Sequence, residues 1–157
     1  MNAVARRWSA LGASTRRRLV AGVLVAGTGF VLGTALWLTP DPAGHGTHMQ
    51  LGLDDCSILT ATGYPCPMCG ATTTFTLWAH LMPVQGVVNQ PFASPLFLMT
   101  LGTFAVSLVE LADPRGRWNR VLHWLGPYEV PLSVLFLGFM AASWVYKTWL
   151  MGLLIAS

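Results

Sequence analysis

Apolar residues run through three long stretches of this chain. Leu19 to Leu38 is twenty residues without a charge, Phe92 to Ala112 carries only Glu110 near its end, and Pro131 to Ala156 is interrupted only by Lys147. At 1.5 Å per residue, about twenty apolar residues cross a hydrocarbon core of about 30 Å. The pattern predicts transmembrane helices over 19–38 and 92–112 and a third within 131–157. The segments between them are 1–18, 39–91 and 113–130.

Two of those segments carry a helical period too short to span. Within 71–82, Thr72, Thr73, Thr76 and His80 form one polar stripe continuous with Cys69, while Phe75, Leu77, Trp78, Leu81 and Met82 cover the rest. Such a helix lies in the membrane interface or folds into the span bundle. In "PRGRWNRVLHWLG" the apolar residues Trp118, Val121, Leu122 and Leu125 recur at i, i+3, i+4 and i+7, with Arg120 and His123 opposite. That spacing predicts a helix lying on the cytoplasmic leaflet. "TPDPAGHGTHMQ", residues 39–50, reads as a loop, and "PVQGVVNQP" as the return to the second span. The expected fold is an all-α membrane protein: three transmembrane helices, short amphipathic interfacial helices and an external cysteine hairpin.

Composition agrees: 54% of residues are hydrophobic and 10% charged, against about 25% charged in a soluble domain. Net charge is +3, but no basic groove for nucleic acid is predicted, because the arginines fall in two blocks. Arg6, Arg7, Arg16, Arg17 and Arg18 precede the first span, and Arg115, Arg117 and Arg120 separate the second from the third. Residues 39–91 contain no Lys or Arg. The positive-inside rule therefore puts the N-terminus and residues 113–130 in the cytoplasm, and residues 39–91 and the C-terminus outside a cell (inner or plasma) membrane. Lys147 is expected to snorkel at the outer interface among Trp144, Tyr146 and Trp149. "STRRRLV" resembles a twin-arginine export signal, but the apolar run exceeds the usual 7–15 residues and no A-x-A-like site follows, so an uncleaved anchor is expected. Gly29 with Gly33, and Gly22 with Ala26, have the small-xxx-small spacing that lets spans pack closely, within the chain, in a homo-oligomer or against other membrane proteins.

The chemistry concentrates in "GYPCPMCGATTTF", Gly63 to Phe75, together with Cys56. Pro65 and Pro67 stiffen the turn, and Gly70 allows close backbone approach. Thr72, Thr73 and Thr74 are candidates to satisfy the first amides of the following helix. Cys69 near that helix start is expected to have a lowered thiol pKa.

The motif resembles the bacterial membrane proteins grouped as domain of unknown function family 2752. Their signature is an upstream cysteine, then C-P-x-C-G-x-T-R, then N-P about twenty residues later. Here Cys56 precedes Cys66, Pro67, Cys69, Gly70 and Thr72, with Pro91 as the downstream proline. Thr73 stands where the family has arginine, and Gln90 where it has asparagine, with Asn89 just before. The resemblance covers about two thirds of the chain and implies topology rather than an activity.

Three readings of the cysteines stand. One disulfide forms as a structural brace, Cys56–Cys66 closing the larger loop. Alternatively Cys66 and Cys69 are a dithiol couple that exchanges with Cys56, in a membrane thiol–disulfide oxidoreductase passing electrons to a quinone. Or Cys56, Cys66 and Cys69 bind zinc with His45 or His48 from the loop; straight-helix geometry sets His80 too far away. No other catalytic machinery is legible. The expected role is an accessory or partner-binding membrane component.

Overall fold

The computed structural model describes residues 11–155, and the described chain is all-helical. Seven α-helices follow one another: α1 Ala13–Trp37, α2 Ser57–Thr62, α3 Ala71–Ala79, α4 Pro83–Asn89, α5 Ala93–Ala112, α6 Arg117–Leu125 and α7 Glu129–Ile155. A 3-10 turn, Thr47–Leu51, sits in the loop after α1. Helices α1 and α5, and the continuous helical stretch Arg117–Gly152 that joins α6 to α7, are long and apolar enough to cross a membrane, and the protein is multi-pass on that basis. Arg6 and Arg7, and the last two residues, lie outside the described part.

The spans differ from the sequence boundaries in one physical respect. Helix α1 begins at Ala13, before the apolar run, so Arg16 to Arg18 occupy its first turns instead of a separate tail. Its small residues are used within the chain. Gly29 faces the Phe104 ring on α5, where an added Cβ would come within 3.2 Å, and Gly22 faces Leu111. Gly33, by contrast, has open space around it. Close approach of α1 and α5 is the physical use of Gly22 and Gly29.

The amphipathic helix expected over 71–82 ends three residues early, and a second helix follows it in the return segment. Helix α3 stops at Ala79, Leu81 takes a positive φ of 60°, and Pro83 starts α4 at a first-turn position. Proline there has a preset φ and no N–H to leave unpaired. The "PVQGVVNQP" return is therefore helical. It folds back tightly on α3: a Cβ at Gly86 would collide with the Trp78 indole. Helix α3 also packs against α1 and α5. Its Thr73, Thr74 and Thr76 are buried, so the middle of the polar stripe faces into protein while His80 at its end is exposed. Phe97 of α5 meets Phe75 edge-on and Trp78 in a stack, with centroids 5.4 and 5.7 Å away.

At the opposite end of the bundle, the arginine end, α5 holds the start of α6. The buried Glu110 carboxylate accepts from the backbone N–H of Gly116 at 2.6 Å and of Arg117 at 3.0 Å, and pairs with the Arg117 guanidinium at 3.3 Å. Arg17 Nη1 donates to the Pro114 carbonyl at 3.1 Å, and Trp118 Nε1 to Ser107 Oγ at 3.1 Å. The helix expected from the Trp118–Leu125 spacing is α6.

Candidate functional site

The cysteine end is built from four segments that are distant in sequence. Cys56 lies immediately before α2. Cys66 opens a tight turn in which Cys69 N–H donates to the Cys66 carbonyl at 2.9 Å and Ala71 N–H to the Met68 carbonyl at 2.9 Å. Gly70 closes it at φ +84°. A Cβ there would strike the Gly44 carbonyl and crowd both Asn89 and the Lys147 ammonium. Glycine is demanded twice, by backbone conformation and by space.

Two side chains before Pro91 lock this turn. Asn89 Nδ2 donates to the Gly70 carbonyl at 3.1 Å and to Thr74 Oγ1 at 2.9 Å. Gln90, fully buried, donates from Nε2 to the Pro67 carbonyl at 2.9 Å and accepts on Oε1 from Ser143 Oγ. Ser143 Oγ in turn accepts from Phe92 N–H at 3.1 Å, just beyond Pro91. Helix α7 adds Trp144, whose Nε1 donates to the Pro65 carbonyl at 2.7 Å, and Tyr146, whose hydroxyl donates to the Val88 carbonyl at 2.8 Å.

Lys147 belongs to this network. It is 2% exposed, and its ammonium donates to Asn89 Oδ1 at 2.8 Å and the Gly44 carbonyl at 3.2 Å. The snorkelling expectation is corrected: the side chain turns inward because oxygens of two loops converge on it. The buried Thr73 hydroxyl meets Thr47 Oγ1 at 2.8 Å. Beside the cysteine turn, Lys147 of α7 supplies a cation. The threonines do not cap α3 either; no side chain does. Thr74 and Thr76 spend their hydroxyls on Asn89 and the Thr72 carbonyl. Sequence reasoning missed Lys147, Ser143 and Trp144. The signal available was the ionisable residue within a span, which by default marks a site.

All three cysteines are thiols and line one cleft of about 380 Å³, with His45, His48, Asp55, Met68, Thr72 and Thr73 among its walls. The structure thus gathers the three cysteines, both loop histidines, Gly70 and Thr72. His80 is exposed and caps Thr76 of its own helix, away from the cleft. Among the described residues, no group of three or more His, Cys, Asp or Glu side chains is placed to hold a metal ion.

The thiols are unequal. The Leu59 N–H, with help from the Cys66 thiol and the Ile58 N–H, holds the Cys56 thiol below its ordinary pKa. Burial, then the hydrogen bond with Cys56, pushes Cys66 up. Burial pushes Cys69 up to about 11, the neighbouring sulfurs adding to it and Lys147 opposing. The expected activation of Cys69 is therefore corrected: it sits under the turn, 5% exposed, where desolvation outweighs the helix start. The thiol that shares the cleft with Cys66 and influences its titration most is Cys56.

No family model, curated protein or solved structure matches the chain.

Proposed function

We propose that this is a multi-pass protein of the cell membrane, N-terminus in the cytoplasm, whose outer face carries a thiol–disulfide couple made of Cys56 and Cys66. The carrying observation is the placement of these two thiols together on one open cleft, with a lowered pKa at Cys56 and a raised one at Cys66. Orientation rests on the arginines: Arg16 to Arg18 and the block Arg115 to Arg120 meet at the end remote from the cysteines, and positive charge collects on the cytoplasmic side.

The chemistry follows from the inequality. The thiolate is the nucleophile, so Cys56 is the sulfur that meets an external partner. Cys56 thiolate attacks a partner disulfide, forming a mixed disulfide and releasing the partner's thiolate. Cys66 then loses its proton and attacks Cys56 sulfur, forming Cys56–Cys66 and releasing the partner's second thiolate. Run backwards, the same steps oxidise a partner dithiol. Cys69, buried and protonated, stays out of the exchange. The accessory or partner-binding role is then specific: the partner bears thiols. The resemblance to the CPxCG membrane family adds the topology and no more.

The test is trapping in native membranes. With Cys66→Ser, Cys56 should accumulate as a mixed disulfide with a partner, visible as a reducible mass shift. With Cys56→Ser it should not. The Cys56–Cys66 pair in the unaltered chain should equilibrate with a thiol buffer above about −300 mV, the limit below which structural disulfides resist reduction. A pair that stays oxidised throughout, with no trapped adduct, sinks this reading in favour of a structural brace.

A further inference from the structure

Cys66 also lines a second cavity. It is a groove of about 720 Å³ between the cysteine turn and α7. Its walls are mostly apolar and aromatic, with Tyr64, Cys66, Trp144, Val145 and Trp149 among them. The volume lies in the range of about 300–1,000 Å³ typical of small-molecule sites. The Trp144 indole is fixed by its bond to the Pro65 carbonyl, so its ring is a preset wall. Tyr64 and Trp149 leave much of their rings exposed. Only Cys66 and Ile58 line both cavities, and only Cys66 of the two has redox chemistry.

A sulfur so placed has two routes of access. The cleft with its histidines and Asp55 admits water-soluble thiols. The groove opens on the face of α7, whose surrounding residues Val145 and Trp149 are exposed within a segment apolar enough to span. A molecule entering there comes from the hydrocarbon phase. To re-form the disulfide it must accept two electrons and two protons. A ring of quinone size and flatness stacks on indole faces, dissolves in lipid and accepts that number.

We propose that the groove beside Cys66 is a quinone site, and that the quinone is the electron acceptor of the Cys56–Cys66 dithiol. This rests on the exchange reading above. In the step, each thiol gives up its proton and the two sulfurs bond to one another, releasing two electrons. The quinone takes both electrons and both protons on its oxygens and leaves as quinol. The Tyr64 phenol is a donor for one of those oxygens.

The experiment uses the full chain in nanodiscs with a short-chain ubiquinone analogue and its photoreactive azido derivative. Crosslinks should map to the Tyr64–Pro67 and Trp144–Trp149 peptides and be competed at least tenfold by unlabelled analogue. They should persist when Cys56 and Cys66 are both replaced by serine, which separates binding from redox. Pre-reduced protein should convert one quinone to quinol per Cys56–Cys66 disulfide formed, followed by quinone absorbance. Val145→Trp, which fills the groove, should lower both labelling and quinol formation about tenfold. Labelling spread evenly along the spans, or uncompeted, means that lipid alone occupies the groove and overturns the quinone site while leaving the exchange reading standing. Specific groove labelling without quinol formation, in a chain whose Cys56 traps no partner, overturns the acceptor role and the exchange reading together.

Discussion

Lys147 Nζ stands 2.8 Å from Asn89 Oδ1, and Asn89 Nδ2 reaches back to the Gly70 carbonyl and Thr74. One amide thus turns a charge on α7 into a clamp on the turn that presents Cys66 and Cys69. The buried ammonium, the amide and the two loop carbonyls satisfy one another, which is the condition for keeping such groups out of water.

Lys147→Met should loosen that clamp. It leaves Asn89 Oδ1 and the Gly44 carbonyl without their donor, at a cost of about 1–3 kcal/mol for buried unsatisfied groups. The expected readout is faster alkylation of Cys69 in detergent-solubilised protein, with unchanged membrane insertion. An unchanged Cys69 rate would show that the clamp does not hold the turn.

Gly70→Ala should be worse than Gly52→Ala. Both glycines have positive φ, +84° and +76°, but a Cβ at Gly52 meets nothing within 4 Å, whereas at Gly70 it meets the Gly44 carbonyl, Asn89 and Lys147. Conformational strain alone costs about 1–2 kcal/mol at either site. Gly70→Ala should exceed that and lower the thermal midpoint further than Gly52→Ala. Equal midpoints would contradict the packing described.

The pH dependence has a definite sign. Cys69 has its pKa raised to about 11 in the folded protein. The folded state therefore holds this proton more tightly than the unfolded one. Its contribution is fully present below the ordinary thiol value and is lost as pH rises through about 11. Cys56 runs the other way in reactivity, with its pKa lowered. Alkylation followed by mass spectrometry should show Cys56 reacting at the lowest pH and Cys69 last. The reverse order would refute the assignment of Cys56 as the partner-facing sulfur.

Glu110→Gln should free the arginine-end loop. The substitution removes the charge that pairs with Arg117 and turns one acceptor facing the Gly116 and Arg117 amides into a donor. Breaking a buried pair by removing one partner typically costs about 3–5 kcal/mol. Protease accessibility between Asp113 and Arg117 should increase severalfold in inverted vesicles. No change would mean that α6 is held without this carboxylate.

A C-terminal reporter should be active outside the cytoplasm and an N-terminal one inside, and the mature chain should keep residues 19–38. Activity of the C-terminal fusion only in the cytoplasm would rule out the orientation proposed. A mature chain starting near residue 40 would show the first span to be an export signal.

The three spans were legible because each is an apolar run of span length, and α6 because Trp118, Val121, Leu122 and Leu125 keep a helical period. The cysteine site was legible only as a neighbourhood. Which sulfur shares the cleft with Cys66 depends on how the segment around α2 comes to line it, and no spacing rule contains that. Lys147 was misplaced because its neighbours Trp144, Tyr146 and Trp149 look like an interfacial belt. Its actual partners are 58 and 103 positions away in the chain. Helix α4 was hidden by Pro83 and Pro91, which read as loop punctuation although one starts a helix and the other follows its end.

Trp144 and Pro65 are 79 positions apart, and Lys147 and Gly44 are 103 apart. Residues 143–147, which hold the cysteine turn, leave a ribosome well after the turn itself. Until they arrive, the segment from Cys56 to Cys69 has been delivered without its lock. During biosynthesis the three sulfurs are therefore free to pair in any combination. Entry of α7 into the bundle then selects the arrangement in which Cys56 and Cys66 share the cleft and Cys69 is shut away.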